Sequence, residues 1–508
     1  MNVAYEPFDG PGPTLTGGRN GRRVLIVDLN NLCTYPTLAI GLLTASLRGA
    51  GYQVQVLSPL AHDVVGVPRE HPETFKDHLI RRVQLSTSPS FRLAQGAIRS
   101  ARAAWRNRPH PKVIEMARKA LAERPDVVLL SAYLQHHPSV VALAALAEEA
   151  GIPVLLGGPV FNNPEITRTW LRIPGVTGIF GGEADVALPQ LVEAVLAGED
   201  LLRFPGMTLS DGRRAPGAQP LRPLETTPIP DFTDFPWDRY PVRVVPVMAA
   251  RGCQWDRCKF CSDVSSVSGR TFRSRSAEAV LTEMREQSLR HQAKTFIFID
   301  LKLNSQPSLL RGIVDGIQTY VPDARWIGTV HVDTRKDNGL SRSELAAAHA
   351  AGMRRIGFGL ESGSQRLLDA MDKGCSVERN SEFIHHAHEA GLSVRCTMFK
   401  GYPGETAEDL EETADFLEKH CELIDRIQYT DFTLMTGTPI YDEVKDRPHD
   451  FKGLRIMRHE HRAARTRYWN SAAEDRAYRR AKARVLRAVH AVNRRPIRSA
   501  AREFDGLM

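Results

Sequence analysis

Three cysteines crowd into nine positions of a 508-residue chain that holds only seven. They lie in the run Arg251-Gly252-Cys253-Gln254-Trp255-Asp256-Arg257-Cys258-Lys259-Phe260-Cys261. Thiolates suit soft metals, so three on one short loop point to zinc or to an iron-sulfur cluster. A structural zinc site takes four protein ligands, and no fourth Cys or His stands close on either side. Three ligands would leave one iron of a cubane open to another molecule; zinc is the alternative. Seven cysteines are too few for a disulfide scaffold, and their clustering suits a reducing compartment, so cytoplasm is expected. Cys33, Cys375, Cys396 and Cys421 have no partner spacing and read as small buried hydrophobes.

The elements that must position this loop follow from apolar periodicity. Strands are expected at Arg243 to Ala249, Thr295 to Asp300, Arg325 to His331, Arg354 to Leu360, Ser393 to Phe399 and Arg426 to Asp431. Amphipathic helical patterns lie between them at Ala277 to Leu289, Ser341 to Ala351, Val377 to Ala390 and Ala407 to Glu418. Six strand-helix repeats make an incomplete parallel barrel at 243–435, with its chemistry at the loops after the strands. Upstream, residues 21–208 read as a doubly wound α/β sheet, with strands at Arg23 to Asp28, Tyr52 to Leu57, Asp126 to Ser131, Ile152 to Leu156 and Val176 to Phe180. Ligands of such a sheet sit beyond the carboxyl ends of its strands. A polar, basic, helical insertion is expected at about 62–124, a Pro-rich linker at 209–242, and a basic, mostly helical region at 436–508.

Composition bounds the class. With 42% hydrophobic and 25% charged residues the chain is neither disordered nor fibrous. Its apolar runs are strand-sized, far short of the roughly 18 residues of a membrane span. Met1 to Asn20 is Gly/Pro-rich and lacks an apolar core, so a loose tail without a secretory signal is expected. The net charge is +8, and Lys452 to Arg502 carries sixteen Lys/Arg against three Asp/Glu. Such a tail could bind nucleic acid or an acidic carrier, although a solvated helix face is the simpler reading.

The cysteine loop resembles the cluster motif of radical S-adenosylmethionine (SAM) enzymes. The upstream sheet resembles the cobalamin-binding domain fused to many of them. The resemblance spans roughly residues 22 to 435. It is carried further by Gly357-Phe358-Gly359-Leu360-Glu361-Ser362-Gly363-Ser364-Gln365, by Met371-Asp372-Lys373-Gly374 and by Lys400-Gly401-Tyr402-Pro403-Gly404-Glu405-Thr406. It implies that Cys253, Cys258 and Cys261 hold a [4Fe-4S] cluster, whose open iron takes SAM for reductive cleavage to a 5′-deoxyadenosyl radical. Phe260, Glu361, Ser362, Gly401 and Gly404 are then expected at SAM, with loop anchoring for Phe260 and helix capping for Glu361 and Glu405 as alternatives. His331, Asp333 and Arg335 would face the barrel mouth, as substrate or cofactor contacts or as solvated loop residues.

By the same resemblance cobalamin would meet Asn30, Ser131, Ala132, Tyr133, Gly157, Gly158, Gly182 and Glu183. His136 and His137 are expected beside the corrin edge or in solvent, not on cobalt. Two departures stand out. Four residues, not the usual three, separate Cys253 from Cys258, so the loop must bulge by one. Asp28-Leu29-Asn30-Asn31 stands where a cobalt-ligating histidine motif would lie. The expected activity is cobalamin-dependent radical SAM methylation of an unactivated carbon in a natural product or peptide, with an electron donor such as flavodoxin or ferredoxin. A rearrangement, cyclisation or dehydration is the alternative, and a nucleic-acid or carrier-binding protein with a structural cluster is a more distant one.

Overall fold

The computed structural model describes residues 21–29, 35–59, 61, 71–87, 101, 108–240, 242–262, 272–504 and 506–507. The tail at 1–20 and Asn30, Asn31 and Cys33 lie outside them.

The N-terminal sheet forms where apolar runs can be buried on both faces. Its strands are β1 (Arg23–Asp28), β2 (Gln53–Leu57), β3 (Val127–Ser131), β4 (Val154–Gly157), β5 (Val176–Phe180) and β6 (Met207–Leu209). The order β2-β1-β3-β4-β5-β6 is parallel except for β6, an antiparallel edge strand that the Pro-rich stretch had concealed. Helices α1 (Leu38–Gly49), α2 (Phe75–Gln84), α3 (Pro111–Ala122), α4 (His137–Glu149), α5 (Pro164–Trp170) and α6 (Leu188–Ala197) accompany it. Alternate residues of one strand enter opposite cores: Leu25 and Val27 pack with Val113 and Val140, Val24 and Ile26 with Ile40 and Leu191.

The second sheet runs β14-β13-β12-β11-β10-β7, every pair parallel, with β7 and β14 at its two edges. Its strands are β7 (Val244–Val247), β10 (Thr295–Phe298), β11 (Arg325–Val330), β12 (Met353–Glu361), β13 (Ser393–Lys400) and β14 (Arg426–Asp431). A short antiparallel pair, β8 (Ala250–Arg251) and β9 (Arg273–Ser274), brackets the cysteine loop. The covering helices are α7 (Ala277–His291), α8 (Pro307–Tyr320), α9 (Arg342–Ala350), α10 (Gln365–Ala370), α11 (Val377–Glu389) and α12 (Ala407–Lys419). Helices α8 and α10 are additions to the four expected from periodicity. This is the six-stranded partial barrel read from the sequence.

The segment between the sheets is more than a linker. Leu224, Phe232 and Trp237 are buried with the barrel core, and Tyr240 donates its hydroxyl to the Ala61 carbonyl. The C-terminal region is rich in helix, as expected: α13 (Pro439–Asp446), α14 (Arg476–Asn493) and several 3₁₀ turns. It also holds an unforeseen three-stranded sheet of β15 (Leu434–Met435), β16 (Leu454–Glu460) and β17 (Arg465–Asn470) in the order β15-β17-β16.

Several of the basic charges are paired within the chain. On α14, Arg484 pairs with Glu411 at 3.0 Å and with Asp415 and Glu418 at 2.5 Å, all on α12. Arg495 meets Glu422 and Arg498 meets Asp425. Phe504 and Leu507 join Val244, Ile297 and Ile327 in a small core below the strands, and the fully buried Arg355 donates to both their carbonyls at 3.0 and 2.9 Å. Among the described residues no helix is long and apolar enough to cross a membrane.

Candidate active site

The cysteine loop is held from several sides. Ala249 and Ala250, where β7 leads into β8, donate backbone N–H groups to the fully buried Asp300 at 3.1 and 2.5 Å. Further on, Lys259 N–H donates to the Met371 carbonyl at 2.9 Å, and the Lys259 carbonyl accepts from Ile440 N–H at 3.0 Å. Trp255 donates its indole N–H to the Asp372 carbonyl at 2.7 Å. Its ring lies over Gly374, where a Cβ would come within 2.1 Å of it and φ is +66°. Asp256, beside Trp255, takes φ 41°, a left-handed turn between the first two cysteines.

Cys253, Cys258 and Cys261 are all partly exposed. Burial first, then the neighbouring Cys261 and Cys253, push the Cys258 thiol up to about 12, while Lys373 opposes the shift. Three thiols near enough to sense one another, with a lysine beside them, form a donor set suited to a thiolate-held cluster. The donor set thus fits the group that the sequence implies.

Glu361, at the end of β12, is buried in a left-handed conformation with φ 60°. Its Oε1 lies 3.1 Å from Lys373 Nζ, itself buried. Lys373 also stands 5.6 Å from the centroid of the Phe260 ring, and Phe260 packs edge-on against Phe399. Gly359 makes room for the pair, because a Cβ there would stand 2.2 Å from Glu361 Oε1. Glu361 is therefore not a helix cap. Ser362 shares a hydrogen bond with Thr413 at 3.0 Å and accepts from Ser364 N–H, so its hydroxyl braces the start of α10. Lys373 lies in the Met371-Asp372-Lys373-Gly374 run, where its sequence neighbours give no sign of this role.

On the other flank of the loop, Asp333 is fully buried, 2.7 Å from Lys302 Nζ and 3.0 Å from Arg335 Nε. Arg335 reaches on to Gln254 Oε1 at 2.9 Å and to the Asn304 and Ser305 carbonyls. Asp333 and Arg335 are thus neither solvated nor loose, and Lys302 was not anticipated. Burial drives the His331 imidazole well below its ordinary value, aided by Lys373 and Lys302, and it sits with its ring centroid 6.2 Å from Trp255.

Gly401 and Gly404 both take positive φ, 83° and 85°. Their loop is tied back by Glu405, whose Oε2 accepts from Gly401 N–H at 2.6 Å and from the Tyr478 hydroxyl of α14. Glu405 therefore serves as a buried strut, not as a dipole partner for α12, and burial pushes its carboxyl up to about 7. The Gly401 carbonyl accepts from the Tyr468 hydroxyl of β17. Neither tyrosine was legible as a partner from sequence.

The candidate cobalamin residues gather as follows. Ser131 and Ala132 are buried at the end of β3, Tyr133 is exposed, and Ala132 N–H donates to the Gly157 carbonyl at 2.9 Å. A Cβ on Gly158, where φ is 126°, would lie 2.5 Å from the Ala132 carbonyl oxygen, so only glycine permits this approach. A Cβ on Gly182 would lie 2.6 Å from the Ala218 side chain. Glu183 is otherwise engaged: it accepts from Leu221 N–H and pairs with Arg273 at 2.5 Å and Arg251 at 3.3 Å. Arg251 also grips Asp185 with both nitrogens at 2.8 Å. The residue two places before Cys253 is thereby clamped to the N-terminal sheet. His136 is buried and accepts from Tyr133 N–H, and His137 packs edge-on against Trp170. Neither stands in solvent; burial lowers both to about 4.

Residues 247–417 match the family model of the radical SAM superfamily. The chain is 28% identical over 330 residues to an uncharacterized methyltransferase of Pyrococcus horikoshii, covering 62% of this chain and 68% of that one. It is 26% identical over 357 residues to the anaerobic magnesium-protoporphyrin IX monomethyl ester cyclase of Cereibacter sphaeroides, covering 66% of this chain and 55% of the cyclase. Among solved structures, the cobalamin-dependent SAM radical enzyme OxsB superposes with a TM-score of 0.65 at 16% identity, over 88% of this chain and 64% of OxsB. The radical SAM methyltransferase TsrM of Kitasatospora setae, solved with cobalamin and a [4Fe-4S] cluster, gives 0.60 at 18% identity, over 86% of this chain and 77% of TsrM.

Proposed function

We propose that this chain, a radical SAM protein with the fold of the cobalamin-dependent enzymes of that superfamily, is a cobalamin-dependent methyltransferase acting on an unactivated carbon of a small-molecule or peptide substrate. The observation that carries this reading is the three-cysteine loop, set at the carboxyl end of the barrel's first strand and clamped by Arg251 to a second sheet whose strand ends bear glycine-lined turns. Cys253, Cys258 and Cys261 would hold the [4Fe-4S] cluster, and Ser131, Ala132, Tyr133, Gly157, Gly158 and Gly182 would border the cobalamin. When bound, these groups supply reductive cleavage of SAM and a methyl donor.

The chain's own residues divide the remaining work. Lys373 places a buried positive charge beside Cys258, which favours the thiolate form needed for ligation. Glu361 offers a second carboxylate oxygen to hydroxyl or ammonium donors while Lys373 holds the first. Phe260, fixed against Phe399, presents an aromatic surface. The Lys302–Asp333–Arg335 chain holds the Gln254 side of the loop in place.

The test is anaerobic reconstitution with iron, sulfide and hydroxocobalamin, followed by metal analysis and product mass spectrometry. Roughly four irons and one corrinoid per chain are expected, with 5′-deoxyadenosine release and a substrate mass gain of one methylene. Retention of iron and of deoxyadenosine release after all three cysteines are changed to alanine would reject the reading. The resemblance to the cyclase supports a second reading, ring formation without methyl transfer. A product lacking the methylene gain, formed with equal deoxyadenosine release, would select it.

A further inference from the structure

Far from the cysteine loop in sequence, Glu165 of α5 meets two histidines of the C-terminal sheet. His459 Nε2 lies 2.8 Å and His461 Nδ1 2.5 Å from the same carboxylate oxygen, Oε1. His459 lies near the end of β16, and His461 opens the 3₁₀ turn that follows it. The three donor atoms all lie within 4.8 Å of one another. From these contacts we propose a second metal site, at which Glu165, His459 and His461 bind one zinc-class divalent ion.

The outer contacts are those of a ligating histidine. His459 Nδ1 is 2.7 Å from Thr466 Oγ1, which turns Nε2 toward the carboxylate and fixes the ring. Two imidazoles and one carboxylate suit zinc and its divalent neighbours better than calcium or magnesium, which prefer oxygen alone. Ligand atoms around a tetrahedral zinc stand about 3.3 Å apart, so each of the two carboxylate–imidazole separations must open by less than 1 Å, and the exposed His461 side chain is free to give. The exposure also leaves the fourth position to water. Asn163 Nδ2 reaches the Thr436 carbonyl at 3.4 Å and the Trp170 indole N–H donates to the Arg462 carbonyl at 3.2 Å, so both sides of the site are already aligned. Bound there, the ion clasps the N-terminal sheet domain to the C-terminal sheet.

The test uses the cluster-loaded full chain. After dialysis against micromolar zinc and then zinc-free buffer, zinc and iron are measured separately in the native chain, in His461→Asn and in Glu165→Gln/His459→Gln. The native chain should keep about one zinc per chain more than either variant at equal iron, and added zinc should raise its thermal midpoint alone. Equal zinc in native and variant chains overturns the proposal, leaving a hydrogen-bonded contact there. If the double variant fails to fold, His461→Asn, changed at an exposed side chain, still decides. Iron reports on the cysteine loop and zinc on this site, so failure of one is distinct from failure of the other.

Discussion

Lys373 Nζ lies 3.1 Å from Glu361 Oε1, and both side chains are buried next to the loop that carries Cys258. Burial works against the lysine's charge, yet Glu361 first and then Cys258 and Cys375 outweigh it and raise its pKa above the ordinary value. Breaking such a pair strands one charge, at a cost of about 3 to 5 kcal/mol. Lys373→Met should therefore lower the urea midpoint strongly, and Lys373→Met/Glu361→Leu should recover part of the loss. Equal loss in the single and double variants would mean that the two groups are not coupled.

Gly374→Ala probes the cysteine loop without touching a cysteine. The added methyl would meet the Trp255 ring at 2.1 Å and a left-handed backbone besides. Trp255 must leave its place, and with it the loop between Cys253 and Cys258. Iron per chain after reconstitution should fall below half the native value; native iron content would show that the ring is no part of the loop's support.

Glu405 gives a pH signature. Its carboxyl is pushed up to about 7 from an ordinary 4.5, so between those values the folded chain keeps a proton that the unfolded chain releases. Stability from this group is present at low pH and declines as pH rises through 7. Glu405→Gln can still accept from Gly401 N–H and Tyr478 without ever ionising. Its stability relative to the native chain should improve by on the order of 3 kcal/mol between pH 5 and pH 8. Parallel denaturation midpoints across that range would contradict this.

Asp185→Asn addresses the clamp between the sheets. It keeps the shape of the side chain but removes the charge that Arg251 grips at 2.8 Å, leaving Glu183 at 3.3 Å as the remaining carboxylate. A loss of up to about 3 kcal/mol is expected, together with faster proteolysis of 209–223. An unchanged cleavage rate would show that docking of the two sheets does not depend on this contact.

The alternation of strand and helix was legible because each strand is a short apolar run and each helix has one apolar face. The cysteine loop was legible because its ligands are local in sequence. What escaped notice was long-range: Asp185 with Arg251, Lys302 with Asp333, and Tyr478 with Glu405 lie 66, 31 and 73 residues apart. Pairs of that kind leave no periodic trace, and each charge alone reads as a surface residue. The C-terminal sheet was hidden by composition, since β16 and β17 carry arginines that dilute their alternation.

Arg355 draws its carbonyl partners from residues 149 and 152 positions later in the chain. On the ribosome, the cysteine loop and most of the strands therefore emerge before these two carbonyls do. The base of the barrel is thus completed last, when Phe504 and Leu507 close over Val244, Ile297 and Ile327.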